Sequence, residues 1–331
     1  MGRYLIRRLA LALLLLIILG AVTYLLFNAV PTDPARLTCG KSCTPAVVAA
    51  NRVRLGLDQP LAMQYWQFLK GLAFGRTYGS GTASFHCPAP CLGYSFRSGD
   101  TVLHLISSAL PVTISVAIGA FLLWMLLGVA SGVYTATHRG QLGERLVMSA
   151  ALIGYSLPVF FIGLLLLVFV VIRWQFLPYP SYSSLLSAPV QWLQSMVLPW
   201  VSLAIVYAAF YTRLVRNDVL EVMAQDYIRT ARAKGLPARR VMRRHVLRAS
   251  LTPIVTAAGL DLAGLLGGAV ITEAVFNLPG LGRLAVSAVT DYDLPVITGV
   301  TLVAAAFVIV ANLFVDVLYA WIDPRVRPSS A

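Results

Sequence analysis

The sequence has 331 residues, of which 58% are hydrophobic and only 12% are charged, whereas soluble domains average about 25% charged residues. This composition excludes an ordinary soluble protein and predicts a chain that crosses a membrane several times. The net charge of +13 would suggest a nucleic-acid partner for a soluble protein, but no module of interleaved aromatic and basic residues accompanies it, so no such partner is expected.

The first apolar run, Leu5–Val30, is long enough to cross a hydrocarbon core of about 30 Å, which takes roughly 20 residues. Its basic flank resembles that of a signal peptide. However, the run is longer than a typical signal core, and the Pro31–Pro34 exit offers no cleavage site between small residues. Residues 1–30 are therefore predicted to hold a cytosolic N-terminus and a retained first transmembrane helix.

Residues 31–100 form the one long polar region of the sequence. Pro45–Leu55 and Leu61–Leu72 have apolar residues at helical spacing, so the region is predicted to fold rather than to remain a loose loop. If the N-terminus is cytosolic, this region is a small extracytoplasmic cap between the first two spans.

All four cysteines, Cys39, Cys43, Cys87 and Cys91, lie in this cap, where disulfides persist. The two C-x-x-x-C units suggest cross-links between the start and the end of the cap, although four cysteines allow three pairings. The alternative is a metal or iron–sulphur site. Because the usual close C-x-x-C ligand spacing is absent, disulfides are predicted and no metal is expected.

Residues 101–331 are predicted to form a five-helix core. Its apolar spans are Leu103–Thr135, Leu146–Ile172, Met196–Val215, Leu251–Phe276 and Val296–Trp321. With the first helix they make six spans, so both termini lie on one side of the membrane. Most Lys and Arg residues between spans also fall on that side, which the positive-inside rule identifies as the cytosol.

A basic cytosolic segment, residues 217–250, separates the fourth span from the fifth. Its first part, Asp226–Lys234, has helix-forming residues and an acid at the start, where the helix dipole favours it, and Gly235 ends this helix. The next residues form an amphipathic helix at about 100° per residue. Its polar half holds Arg239, Arg240, Arg243, Arg244 and Arg248, and its apolar half holds Val241, Met242, His245 and Val246. The segment would suit a lever held against a cytosolic partner; the alternative is a basic loop that only obeys the positive-inside rule.

Two acids, Asp261 and Glu273, fall inside an apolar span, where an ionisable group is costly and usually faces a pathway or a partner. Asp261 is expected one or two turns into the helix and Glu273 three turns further on. They either line or gate a pathway or form hydrogen bonds between helices. Gly264 and Gly268 have the spacing that lets helices approach closely, either at a dimer seam or gate or within one subunit.

The sequence contains no Walker A pattern and no cluster of catalytic acids, bases or nucleophiles. The chain is therefore not expected to be an enzyme. No cofactor is expected in it, and any ATP and Mg²⁺ would be bound by a separate ATPase.

Three stretches together resemble the permeases of ATP-binding-cassette (ABC) importers, specifically the dipeptide/oligopeptide/nickel type. The stretches are DYIRTARAKG (226–235), GLLGGAVITEAVFNLPGLGR (264–283) and NLFVDVLYAWIDPR (312–325). The general importer pattern Glu-Ala-Ala, three residues, Gly falls here on Arg229, Thr230, Ala231 and Gly235. These departures fit the peptide subfamily better than the sugar or amino-acid ones.

The resemblance implies an all-α polytopic membrane protein of the type I importer permease kind, with six transmembrane helices and a cap between the first two. It implies a second homologous permease subunit, two ABC ATPase subunits and an extracytoplasmic substrate-binding protein, in the lipid of the cell membrane. The ATPase-coupling residues would be Asp226, Tyr227, Arg229, Thr230, Ala231, Arg232, Ala233, Lys234 and Gly235. The function would be import of di- or oligopeptides, with nickel or another solute as an alternative. A proton-coupled secondary transporter is a further alternative.

Overall fold

The computed structural model describes residues 2–29, 34–37, 44–55, 58–78 and 85–322. These residues form mainly helices, together with two short antiparallel hairpins. The helices are α1 (Gly2–Ala29), α2 (Pro34–Leu37), α3 (Pro45–Leu55), α4 (Leu61–Phe74), α5 (Val102–Thr137), α6 (Leu142–Ser156), α7 (Val159–Leu166), α8 (Pro189–Met223), α9 (Asp226–Ala233), α10 (Ala238–Val241), α11 (Leu247–Leu266), α12 (Val270–Val275), α13 (Leu281–Thr290) and α14 (Leu294–Ile322). The strands are β1 (Arg76–Tyr78), β2 (Phe85–Cys87), β3 (Tyr94–Ser95) and β4 (Asp100–Thr101). Two π-helical turns, Leu167–Arg173 and Met242–Val246, follow α7 and join α10 to α11.

Four helical runs in the described part of the chain are long and apolar enough to cross a membrane. They are Val102–Thr137, Pro189–Met223, Ala238–Leu266 and Leu294–Leu313. A fifth span is possible if α6 and α7 count as one, although they meet at an angle of 100°. The predicted mainly helical membrane fold is confirmed, whereas the count of six spans is not.

The predicted span Leu146–Ile172 is not one continuous helix, because the helix breaks at Leu157 and Pro158. A proline disfavours the helical conformation of the residue before it, and Leu157 is extended, with φ −89° and ψ 134°. Pro158 then precedes the first turn of α7. Proline favours such a break, but it does not suffice for one, because Pro111, Pro199 and Pro253 lie inside continuous helices.

The predicted span Leu251–Phe276 is also wrong as a single helix, because α11 ends at Leu266 and α12 begins at Val270. Gly268 between them has φ +129°, a conformation that glycine adopts readily and other residues rarely do. The two predicted intramembrane acids therefore lie on different helices.

The chain forms two compact units, and the first comprises residues 1–112 and 279–309. Helices α3 and α4 occur where the apolar spacing of the predicted cap indicated them. The core of the unit contains Leu92, Val102, Ile106, Ala109, Leu281, Ala288, Val296, Ile297 and Val300. In addition, the hydroxyl of Tyr65 in α4 donates to the carbonyl oxygen of Ile17 in α1 at 2.6 Å.

Cys87 and Cys91 in this unit form a disulfide with each other, and their Cα atoms are 5.6 Å apart. The cross-link expected between the start and the end of the cap is therefore wrong for these two cysteines. The chain brings them together by turning back just after β2. Since their sulfurs are bonded to each other, they are not thiolate ligands. Cys39 and Cys43 lie outside the described residues.

Asp293 caps the start of α14 in the same unit. Its carboxylate accepts hydrogen bonds from the Ser95 hydroxyl and from the backbone N–H of Val296, and a side chain at this position satisfies a free helix N–H. Burial raises the pKa of the Asp293 carboxyl, and these two bonds oppose that effect. Nearby, Arg97 and Asp291 form an ion pair at 2.8 Å, so two polar contacts join the β3–β4 hairpin to the chain before α14.

The second unit comprises residues 113–278 and 310–331 and is built around α8. Helices α6, α7 and α11 all pack on α8. Three glycines of α5 also meet α8 closely. A Cβ atom added at Gly119 would overlap the Trp200 ring, and one added at Gly128 or Gly132 would lie only 2.6 Å from a side-chain atom of α8. The boundaries predicted at residues 30 and 100 separate segments on different sides of a membrane, whereas the two units are defined by their internal contacts. These boundaries therefore stay predictions.

Candidate functional site

Helix α9 is a short, exposed helix that follows the long helix α8 after two residues. Its apolar residue Ile228 and the small residue Ala231 are buried, and they hold the helix against the rest of the unit. The other predicted coupling residues of the segment, Asp226, Tyr227, Arg229, Thr230, Arg232, Ala233, Lys234 and Gly235, are exposed. The helix thus presents most of its surface outward.

The end of α9 is a Schellman motif centred on Gly235. The N–H of Gly235 donates to the carbonyl oxygen of Arg232 at 2.9 Å, and the N–H of Leu236 donates to that of Ala231 at 3.3 Å. This pair of bonds forms when the first residue after the helix C-cap is in the left-handed conformation. Gly235 occupies that position and has φ +76°. Pro237 follows and starts the next helix. The predicted helix stop is therefore a turn of defined geometry.

The amphipathic pattern that follows is reproduced by the burial of the side chains. Val241 and Val246 are 2% and 0% exposed, and Met242 and His245 are half-buried. The five arginines of the polar half are all exposed, and we call them the arginine face. They are Arg239, Arg240, Arg243, Arg244 and Arg248.

Asp261 lies 14 residues after the start of α11, which corresponds to about 21 Å along the helix. The expected depth of one or two turns is therefore wrong, because 14 residues make about four helical turns. The half-buried carboxylate of Asp261 accepts a hydrogen bond from the Tyr211 hydroxyl of α8 at 2.7 Å. Tyr211 is itself fully buried, so it holds the carboxylate in a fixed place.

Glu273 in α12 is 0% exposed. Its carboxylate accepts a hydrogen bond from the Thr113 hydroxyl of α5 at 2.7 Å. A hydrogen bond of this kind offsets part of the cost of burying a polar group. The geometry favours the second of the two roles expected for Glu273, a hydrogen bond between helices.

Gly264 is exposed on α11, and a Cβ atom added there would meet no atom within 4 Å. Gly268 lies beyond the end of this helix, so the two glycines do not share one helix face as their spacing suggested. Gly264 therefore leaves a small, open place on α11.

Sequence reasoning missed an ion pair between Glu144 at the start of α6 and Arg216 near the end of α8. One oxygen of Glu144 accepts from Arg216 Nε at 2.9 Å and also from Nη2, while the other accepts from the Gly140 N–H at 2.5 Å. Both side chains are largely buried. Nothing in the sequence indicates that residues 72 apart are neighbours, although each borders a predicted span.

It also missed the close packing of α5 on α8, for which a signal existed. Gly128 and Gly132 have the small-x-x-x-small spacing of closely packed membrane helices, and both meet α8. Gly264 and Gly268 have the same spacing, but that pair does not pack in this way. Spacing alone does not tell these two cases apart.

Comparison with known protein families identifies the family of this chain. The model of the "Binding-protein-dependent transport system inner membrane component" family matches residues 125–328, and the model of the N-terminal part of such membrane components matches residues 1–117. The chain belongs to this family. It is thus a multi-pass membrane permease and not an enzyme, and its resemblance to dipeptide/oligopeptide-type ABC permeases is confirmed.

Several relatives match the permease over nearly its whole length. A probable peptide ABC transporter permease, y4tP of Sinorhizobium fredii, is 36% identical over 327 residues, which cover 99% of this chain and 100% of the relative. The probable D,D-dipeptide transport permease DdpB of Escherichia coli is 35% identical and covers 95% and 94%. The glutathione transport permease GsiC of Salmonella paratyphi A is 35% identical and covers 99% of both chains.

Among solved structures, the permease is similar to a chain of the inward-facing MetNI methionine ABC transporter. The TM-score is 0.53 at 21% identity, and the match covers 67% of this permease and 97% of the other chain. This likeness concerns the fold.

Proposed function

We propose that this permease is the membrane subunit of an ATP-driven ABC importer of dipeptides and oligopeptides. The observation that carries the proposal is α9, a short exposed helix with a fixed turn at Gly235, placed between two long apolar helices. The relatives named for peptides, D,D-dipeptides and glutathione support the substrate class. The partners are a second permease, two ATPase subunits and a binding protein on the far side of the membrane.

In this proposal α1 is the sixth span, both termini are cytosolic and residues 31–100 form the extracytoplasmic cap. The basic residues around α9 support this orientation, because short cytosolic loops carry an excess of Lys and Arg. The cap then lies on the side where the binding protein delivers its ligand.

The coupling works through α9. A cytosolic ATPase subunit holds the exposed side of α9, and closure of the ATPase pair on ATP moves it. The Schellman turn at Gly235 fixes the direction in which the chain leaves α9, so the movement reaches the helix Ala238–Leu266. ATP and Mg²⁺ are bound by the ATPase subunits, since this sequence contains no phosphate-binding loop.

In this proposal the peptide pathway passes Asp261 on the helix Ala238–Leu266, beside the open surface at Gly264. A half-buried carboxylate within an apolar span is costly, and such groups usually face a pathway or a partner. Gly268 forms the hinge after α11, and Glu273 ties α12 to α5.

Replacing Asp261 with asparagine should lower the rate of peptide uptake more than replacing Tyr211 with phenylalanine. The first change removes the carboxyl group proposed to face the pathway. The second keeps that group and removes only the hydroxyl that positions it, which costs about 1–3 kcal/mol of stability because a half-buried acceptor loses this hydrogen bond. Uptake of a labelled dipeptide into vesicles that contain the complete transporter measures both. Equal uptake by Asp261→Asn and the unmodified protein would place the carboxylate outside the pathway.

The proposed function is tested by purifying the complete transporter and measuring peptide uptake in vesicles. We expect ATPase subunits to co-purify, uptake to require ATP and the binding protein, and a protonophore to have no direct effect. Uptake that continues without ATP and stops with the protonophore would instead support a proton-coupled transporter. ATP-driven uptake of nickel or another solute, with no uptake of peptides, would keep the importer and replace its substrate.

A further inference from the structure

The arginine face has no acidic partner within the described part of the chain. None of its five guanidinium groups takes part in an ion pair, and all five side chains are exposed. On the opposite side of the same helix, Val241 and Val246 are buried, so the helix cannot rotate to give the arginines other neighbours. Five cations within ten residues are therefore available to bind a negatively charged surface outside this chain.

The position of the arginine face along its helix indicates where that surface lies. The run Ala238–Leu266 contains 29 residues and is about 43 Å long, whereas the hydrocarbon core of a membrane takes roughly 20 residues. No charged residue occurs between Arg248 and Asp261. Arg248 is thus the last cation before the apolar stretch, and the other four precede it on the side of α9.

The distances fit the layer of lipid headgroups. If the hydrocarbon core starts just beyond Arg248, then Arg244 lies about 6 Å and Arg239 about 14 Å further out. The headgroup layer on each side of a membrane is about 5–8 Å thick. Arg248, Arg244 and Arg243 therefore lie within this layer, whereas Arg239 and Arg240 lie just outside it.

We propose that the arginine face binds the phosphate groups of anionic phospholipids in the cytosolic leaflet. This proposal rests on the orientation given in the proposed function. The planar guanidinium group matches phosphate oxygens with two parallel hydrogen bonds, and clusters of four to eight basic residues beside a membrane helix are typical of anionic-lipid binding. Spacing of four residues, as between Arg240 and Arg244, places two guanidinium groups on one side of the helix.

Lipid bound here would fix the depth of the helix that α9 moves. The arginine face starts four residues after Gly235, so it lies between the Schellman turn and the membrane core. Anionic headgroups hold this stretch at the membrane surface, and a displacement of α9 then tilts the helix about that point instead of drawing it out of the membrane. Efficient coupling therefore needs anionic lipid.

The test uses the complete transporter in nanodiscs of phosphatidylcholine with and without phosphatidylglycerol. Native mass spectrometry counts the phosphatidylglycerol molecules that stay bound, and vesicles of the same lipids report peptides imported per ATP hydrolysed. We expect the unmodified transporter to retain phosphatidylglycerol in preference to phosphatidylcholine. Changing all five arginines to glutamine should weaken retention by about fivefold for each arginine that contacts a headgroup and lower the coupling ratio.

Two variants separate lipid binding from other roles. The control Arg229→Gln, Arg232→Gln and Lys234→Gln removes three charges from α9 and the residue that follows it, and it should lose coupling while it retains phosphatidylglycerol as before. Changing the five arginines to lysine keeps the charge but not the paired hydrogen bonds, so it should retain an intermediate amount. If the glutamine variant fails to fold, the lysine variant and the lipid preference of the unmodified transporter still decide the question.

Other outcomes would overturn the proposal. Equal retention of phosphatidylglycerol by the glutamine variant and the unmodified protein would do so, as would the absence of any lipid preference. If the glutamine variant instead loses its ATPase subunits with lipid retention unchanged, the arginine face binds the ATPase. Failure of the proposed function is a separate result: the unmodified complex would lack ATPase subunits or uptake whatever lipid it retained.

Discussion

Replacing Gly235 with valine should abolish most peptide uptake while ATP hydrolysis by the assembled transporter continues. Gly235 has φ +76°, and a residue with a Cβ atom costs about 1–2 kcal/mol in the left-handed conformation. Such a cost shifts the equilibrium between two turn conformations by a factor of about 5–30. A Cβ atom here would meet no atom within 4 Å, so the effect arises from the backbone and not from a clash.

Gly99 provides the matched control. It has φ +74°, and a Cβ atom added there also meets nothing within 4 Å, but it lies in the turn of the β3–β4 hairpin. Gly99→Val therefore carries the same backbone strain away from α9. Labelled dipeptide uptake and phosphate release are measured on the same vesicles. Normal uptake in Gly235→Val, or an equal loss in Gly99→Val, would contradict a coupling role for the turn.

Replacing Gly128 with valine should strongly destabilise the folded permease. The first added carbon alone would lie 2.6 Å from the Cβ atom of Tyr211 and 3.2 Å from the carbonyl oxygen of Ala208. These atoms belong to or adjoin the backbone of α8, so they cannot move aside without moving the helix. Extra carbons in a packed core cost about 1–3 kcal/mol, occasionally more, and valine adds three.

Gly264→Val is the control for this change, because Gly264 is also within a long membrane helix but has open space around it. Thermal unfolding of the detergent-purified protein should show a clear decrease for Gly128→Val and little change for Gly264→Val. If Gly264 faces the pathway or the second permease, its variant should lose uptake without losing stability. Equal unfolding temperatures for the two variants would mean that α5 and α8 are not packed as described.

The sequence predicted most of the helices because membrane helices are marked by long apolar runs. Their ends were less accurate. Helix α8 extends from Pro189 to Met223, whereas only Met196–Val215 was predicted, because a helix continues through polar residues once it has left the apolar layer. Pro158 marked one possible break, but Pro111, Pro199 and Pro253 lie inside unbroken helices, so the proline alone did not identify it. The break at Gly268 depends on a backbone angle that composition does not reveal.

For the candidate site as well, features formed by neighbouring residues could be predicted and contacts between distant residues could not. The helix and the turn of the proposed coupling segment could be predicted because Asp226–Gly235 is local: its helix, its stop and its charges are neighbours in the chain. The contacts of Asp261 with Tyr211, and of Glu273 with Thr113, join residues 50 and 160 positions apart. No periodicity within one helix contains that information, so the acids could be noticed but their surroundings could not.

The contacts of Glu144 have a mechanical consequence. Arg216 lies two turns before the end of α8, and its bonds to Glu144, together with the Gly140 N–H, lock the first turn of α6 to that end. A force applied at α9 would therefore act on both α8 and α6. The helix breaks before Pro158, where α7 follows α6. Helices α8 and α6 therefore move together, and the bend between α6 and α7 is where this movement can be absorbed.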